Sequence, residues 1–177
     1  DRGGRKEVGL MPPRSESLRQ GSLYDPAIET MPTGGREQYQ SRLLRSLVRH
    51  TFLNAPGWKK RLDGAGIHPS HIVGLKDLEK IPIVRKDEIV KLQREAPPFG
   101  GLLAIPPQKI ERVTVSPGPI YLPFVGSDWG PSLKAYYGLG FRSGYRSINT
   151  FSYMYMASWG SDFCLRRLGV SIVPTGV

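Results

Sequence analysis

The stretch from Arg146 to Pro174 constrains the fold most. "RSINTFSY" reads as a strand, "SDFCLRRLG" as a short helix ending at Gly169, and "VSIVP" as a buried-type strand ending at Pro174. Upstream, "KIERVTV" sets Ile110, Val113 and Val115 in a further strand, and "SDWGPSLKAYYGLG" reads as a helix capped by Ser127 or Asp128 and stopped by Gly138 or Gly140. Strand, helix, strand, helix, strand is the order of a parallel sheet covered by helices. The chain is therefore expected to be α/β. Its parallel sheet (βαβαβ) should be incomplete, because the sequence in hand runs only one strand past the second helix.

The first hundred residues follow another pattern. Residues 1–22 mix glycine, proline, serine and charge without a hydrophobic period, which predicts a flexible basic tail. From Arg36, Tyr39, Leu43, Leu44, Leu47, Val48 and Phe52 recur at spacings of three and four, so an amphipathic helix is expected. Pro56 starts a shorter helix through Leu62, ended by Gly64 and Gly66. Short helical turns punctuated by proline follow, and a third helix carries Ile89, Val90 and Leu92. The expected organisation is a tail over 1–22, a helical region over 23–100 and an α/β part over 101–177.

Composition narrows the function classes. Hydrophobic content of 39% and charged content of 23% are ordinary for a folded protein. The net charge of +10 is spread along the chain; its densest run, "WKKR" at Trp58 to Arg61, is short and followed by Asp63, so nucleic-acid binding is not expected. One cysteine, Cys164, leaves no internal disulfide, and cytoplasm is the default compartment. No apolar run approaches the ~18 residues of a membrane span. The sequence opens on Asp1 rather than methionine, which fits a processed product, an expressed piece or an excerpt of a longer reading frame.

Between Val113 and Val125, "VTVSPGPIYLPFV" leads an apolar β-branched run into a turn holding Gly118, Pro117, Pro119 and Pro123. A glycine-rich phosphate cradle after a strand would occupy such a place. Elsewhere, His68 and His71 in "HPSH" have no third ligand nearby and read as a surface turn. Cys164 lies in a helix without a histidine close in sequence and reads as a buried spacer. "GLGFRSG" follows a helix rather than a strand, so it fails the context of a dinucleotide fingerprint.

Four further stretches carry a resemblance: "YDPAIETMP" at Tyr24 to Pro32, "LLRSLVRHTFLNAPGWKKRLDGAGIHPSHI" at Leu43 to Ile72, "LKDLEKIPIVRKDEI" at Leu75 to Ile89, and "RRLGVSIVPTG" at Arg166 to Gly176. In this order they resemble the N-terminal portion of the phenylacetate-CoA ligases, in the adenylate-forming superfamily. The resemblance spans residues 24–177. It implies ATP-dependent activation of a carboxylic acid as an acyl-adenylate, then transfer to coenzyme A, with ATP, Mg²⁺ and CoA as cofactors and an aromatic carboxylic acid as a substrate class. It also implies that the adenine- and ribose-recognising segment and a mobile C-terminal domain with a catalytic lysine lie outside this sequence, so no catalytic residue is assigned.

That family's phosphate loop has the form S-S-G-T-T-G-K-P. "SPGPIYLP" keeps Ser116, Gly118 and Pro123 as the corresponding cofactor-binding positions, but replaces both threonines, one serine, one glycine and the lysine. Pro117 and Pro119 have no backbone N–H, and hydroxyls and a cation are lost with the other changes. The loop is expected to be a relic, or to be repurposed for packing. By the same resemblance, "FSYMYMASWG" corresponds to a segment lining the acyl pocket, with Tyr153, Tyr155, Trp159 and Gly160 as pocket residues and Met154 and Met156 as filler. The alternative is that this aromatic cluster is core. No metal site is expected. Two functions remain open: an N-terminal part or divergent member of an aryl/acyl-CoA ligase that is not competent alone, and a non-catalytic pseudo-ligase subunit that docks another protein. In either case an open sheet edge calls for a protein partner or self-association.

Overall fold

The computed structural model describes Gly21, residues 23–125 and residues 130–176. The tail expected over residues 1–22, apart from Gly21, lies outside these, as do the expected helix caps Ser127 and Asp128. A helical region comes first, and a small open sheet with its covering helices follows.

Helix α1 (Pro26–Glu29) is capped by Asp25, whose carboxylate accepts the Ile28 N–H at 3.3 Å. Helix α2 (Thr33–Asn54) starts three residues before the expected Arg36 and ends where Pro56 disfavours a helical Ala55. Pro56 then opens α3 (Pro56–Gly64) at its first position. The chain leaves α3 through Gly66 at φ 67°: the Ile67 N–H donates to the Leu62 carbonyl at 2.9 Å and the Gly66 N–H to that of Asp63 at 3.0 Å. This closure needs a left-handed residue and folds Ile67 back onto Leu62. Val48, Leu62, Ile67 and Ile72 form the buried cluster, with Leu44, Phe52 and Ile81 packed against it. Only part of the apolar stripe on α2 is used. Leu43 and Leu47 remain 49% and 60% exposed.

Two 3₁₀ turns, Pro69–His71 and Leu75–Lys80, account for the proline-punctuated segment and lead to α4 (Lys86–Glu95). Glu88 ties α4 down: it accepts the Arg85 N–H and pairs with Arg61 of α3. The Arg61 guanidinium holds the Glu88 carboxyl below the usual carboxylate range.

Strands β1 (Arg112–Ser116) and β2 (Ile120–Phe124) form an antiparallel hairpin with Ser116 opposite Ile120. Helix α5 (Gly130–Gly138) follows, then β3 (Arg146–Asn149), α6 (Met156–Arg167) and β4 (Ser171–Pro174). Strands β3 and β4 are parallel, with Ile148 opposite Val173. The turn from α6 into β4 repeats the closure after α3: Gly169 at φ 76° lets the Val170 N–H reach the Leu165 carbonyl at 3.0 Å. Leu165 and Val170 are both buried there.

The helical region, the α/β continuation and the unfinished state of the sheet agree with the sequence reading. One pairing differs. The strand around Val113 does not join the parallel sheet, because a three-residue turn returns the chain beside it, and so short a connection permits only antiparallel pairing. Among the described residues parallel pairing is confined to β3 and β4.

Candidate functional site

The hairpin turn, Pro117 to Pro119, lies within the segment that corresponds by sequence to a phosphate loop. Of its three residues only Gly118 has a backbone N–H, and its φ of 136° is one that side-chain-bearing residues avoid. The rest of "SPGPIYLP" is not loop at all, since Ile120 to Pro123 run in β2. Pro123 stands opposite Val113 in the ladder.

The backbone in the middle of β2 is already committed. Gln93 of α4, 8% exposed, donates Nε2 to the Tyr121 carbonyl at 2.8 Å and accepts the Tyr121 N–H on Oε1 at 2.9 Å. A primary amide presents a donor and an acceptor side by side, so it closes a strand edge as another strand would. These two groups are thereby withdrawn from any ligand. Gln93 carried no signal in the sequence, where it is one polar position of an amphipathic helix.

A cation does approach the turn. The Lys86 side chain, at the start of α4, brings Cε to 3.6 Å from the point a β-carbon on Gly118 would occupy. Sequence reading counted the loop lysine as lost and had no means to see one arriving from a separate helix 32 positions upstream.

Beside the turn lies an apolar pocket of about 440 Å³. Val115, Ser116, Pro117 and Leu122 form one wall; Phe151, Tyr155, Met156 and Ala157 form the other. The pocket thus joins the hairpin to the aromatic segment and brings together Ser116 and Tyr155 of the expected site residues. Tyr153 and Trp159 do not join them in one slot. Trp159 packs against the hairpin, its ring 5.6 Å from that of Phe124 and 4.8 Å from the Arg112 guanidinium carbon. Gly160 is buried within α6. The Tyr153 hydroxyl donates to Asp162 at 3.3 Å, and burial together with the Asp162 charge pushes its pKa up.

What fixes the aromatic wall is Asn149, at the end of β3. Its side-chain amide donates to the carbonyl and hydroxyl of Ser158, both at 3.1 Å, and its Oδ1 accepts the Phe151 N–H at 3.2 Å. The Ser158 hydroxyl in turn donates to the Phe151 carbonyl at 3.1 Å. The Asn149 backbone carbonyl accepts the Thr175 N–H at 2.9 Å, tying in the chain after β4. Asn149 and Ser158 are 7% and 0% exposed, so the whole loop is registered on two buried polar residues that sequence reading did not single out. Cys164 is buried as well, and burial pushes its thiol up, as suits a spacer. Among the described residues no cluster of three metal-ligating side chains occurs.

The turn and pocket do not fit a nucleoside triphosphate. One N–H over three turn residues, an amide-locked strand and apolar walls offer too few donors for phosphate oxygens. They suit an apolar group lying between the hairpin and α6.

The order of these elements is that of a partial N-terminal domain of the adenylate-forming enzymes. Family-level homology is to phenylacetate-CoA ligase, in the AMP-dependent ligase superfamily. The chain is 29% identical over 161 residues to a phenylacetate-coenzyme A ligase of Thermus thermophilus, covering 86% of this chain and 35% of that protein. It is 30% identical over 91 residues to the Escherichia coli enzyme of the same name, covering 51% and 20%. The crystal structure of 2-hydroxyisobutyryl-CoA ligase in the postadenylation state, in complex with 2-HIB-AMP, superimposes with a TM-score of 0.83 at 26% identity, covering 98% of this chain and 37% of that one. No family model matches the chain. The chain thus spans about a third of the length of the relatives it matches, a coverage consistent with their N-terminal portion.

Proposed function

We propose that the chain is an N-terminal part or divergent member of an ATP-dependent aryl- or acyl-CoA ligase and does not complete the reaction alone. The observation that carries this reading is a ligase-like fold whose segment "SPGPIYLP", the counterpart of the phosphate loop by sequence resemblance, forms a hairpin with a three-residue turn, Pro117 to Pro119. ATP, Mg²⁺ and CoA belong to the chemistry of the homologous ligases in general terms, and the turn holds too few donors for ATP, so no step is routed through it. The chain's own share is the apolar pocket, whose walls accept an aromatic or branched acyl group and exclude water from it. Ser116, Gly118 and Pro123 then act as turn and strand residues. Tyr155 lines the acyl side, while Tyr153, Trp159 and Gly160 hold its wall.

The expected organisation, helical over 23–100 and α/β over 101–177, serves this reading. The second reading, a pseudo-ligase subunit that docks another protein, is favoured by one observation. The face of β3 and β4 away from α6 bears Ile148 and Val173 side by side, 68% and 46% exposed. A covering element from a partner, or a second copy, suits that face. No helix among the described residues is long and apolar enough to cross a membrane, and a cytoplasmic site of action remains part of the proposal.

The test is a hydroxylamine-trapping assay with ATP, Mg²⁺ and a panel of aromatic and branched aliphatic acids, run alongside light scattering of the same preparation. No acyl-hydroxamate above the protein-free control is expected. Dimerisation lost on Ile148→Asp selects the docking reading; acyl-hydroxamate formed by the chain alone overturns both.

A further inference from the structure

Helix α2 carries four arginines, Arg36, Arg42, Arg45 and Arg49, against one carboxylate, Glu37. Arg42, Arg45 and Arg49 fall at spacings of three and four, so they share one stripe of the helix. No carboxylate among the described residues pairs with any of them. Arg45 donates Nη1 to the Val73 carbonyl at 2.6 Å, which orients its guanidinium without neutralising it. Sequence reading saw the charge as spread along the chain; the fold gathers part of it on one helix face.

Arg45 and Arg49 flank a groove of about 720 Å³ between α2 and the segment His68 to Val73. Ile72, 1% exposed, forms its floor, while Leu53 and Val73, 67% and 66% exposed, stand apolar at its rim. The groove is remote in sequence from the hairpin and pocket and has no part in the function proposed above.

We propose that this groove docks an acidic amphipathic helix of a partner protein. Two guanidinium groups at i and i+4, without a carboxylate partner among the described residues, match carboxylates at the same spacing on a facing helix. The apolar floor and rim match leucine-type side chains on that helix's other positions, the mode in which an amphipathic helix lies in a groove. A nucleic-acid backbone gains nothing from Ile72, Leu53 and Val73. Of the two rings in the lining, Phe52 has a face covered by Lys59 at 4.8 Å and His68 packs edge-on against Phe52, so no pair of open faces is presented for successive bases. A membrane surface would meet projecting side chains rather than a recess.

The experiment uses the whole chain and a labelled synthetic peptide of about 18 residues, five helical turns, with leucines at spacings of three and four and glutamates at i and i+4 on the remaining face. A scrambled peptide of identical composition is the control, and fluorescence anisotropy the readout. The ordered peptide is expected to bind about tenfold or more tighter than the scrambled one, and Arg49→Glu to weaken it about tenfold, a change of ~1.4 kcal/mol. Among the described residues Arg49 makes no ion pair, so that variant should keep its circular dichroism; if it does not fold, Arg49→Gln is measured with an expected loss of severalfold. Equal binding of the two peptides, or unchanged affinity in the Arg49 variants, overturns the proposal. So does tighter binding of phosphatidylserine vesicles or a duplex oligonucleotide than of the ordered peptide, or concentration-dependent self-association that Arg49→Glu abolishes.

Discussion

Replacing Asn149 by alanine is expected to destabilise the chain by about 2–4 kcal/mol, because a buried amide loses four hydrogen bonds at once, each worth about 0.5–1.5 kcal/mol net. The side chain serves four groups at once: the Phe151 N–H, the Ser158 carbonyl, the Ser158 hydroxyl and the Tyr153 hydroxyl. After the substitution the Ser158 hydroxyl keeps its bond to the Phe151 carbonyl and the Ser158 carbonyl keeps its place in the α6 ladder, so the group left without a partner is the Phe151 N–H. Urea unfolding followed by circular dichroism should show the midpoint falling with little change in slope. An effect below about 1 kcal/mol would mean that the aromatic loop is held by its packing and not by this network. Asn149→Asp is a useful companion: it retains the acceptor for Phe151, but it replaces the donor to Ser158 with a buried carboxylate oxygen facing a carbonyl, so it should destabilise at least as much as alanine.

Gln93→Leu should come next in size, at about 2–3 kcal/mol, for a related reason. Leucine fills much of the same space but leaves the Tyr121 N–H and carbonyl unpaired against the side of α4. Hydrogen exchange gives the more specific reading. The Tyr121 amide should lose protection selectively, while amides in the β3 and β4 pair stay as they are, because Gln93 bridges only α4 and the hairpin. Uniform loss of protection over the whole chain would instead mark Gln93 as a general core residue.

These two residues show where sequence reading succeeds and where it stops. The long helix is legible because its apolar positions repeat at helical spacing, and its end is legible because Pro56 forbids continuation. The crossover from β3 through α6 to β4 is legible from "SDFCLRRLGVSIVP", where Gly169 marks the helix end. Strand β2 is not: prolines at 119 and 123 argue against a strand, and only the edge position of a two-stranded hairpin makes Pro123 tolerable there. Leu43 and Leu47 look like core and stay exposed, because burial depends on which neighbours arrive rather than on periodicity. Gln93 and Lys86 are invisible as site residues because each acts on a partner placed by tertiary structure, 28 positions away for Gln93, and no local spacing encodes that. Asn149 differs: its partners, Phe151 and Ser158, lie two and nine positions on, and its bond to the N–H two residues ahead is a local turn pattern that carries no sign of the buried site it serves.

The reading of the hairpin as a structural turn is tested most directly by isothermal titration of the unmodified chain with ATP and Mg²⁺, at about 0.05 M and about 0.5 M salt. Exposed-charge attraction to a protein of net charge +10 fades as the Debye length shrinks from ~10 Å at 0.1 M to a few ångströms, whereas a preorganised cradle of N–H groups keeps most of its affinity. Inorganic triphosphate is the matched control. The expected result is weak binding at low salt, equal for ATP and triphosphate and absent at high salt, with Lys86 as the local cation at the turn. Micromolar binding of ATP, about 8 kcal/mol, that persists at high salt and exceeds that of triphosphate would contradict it, and would make the segment from Ser116 to Pro123 a nucleotide site.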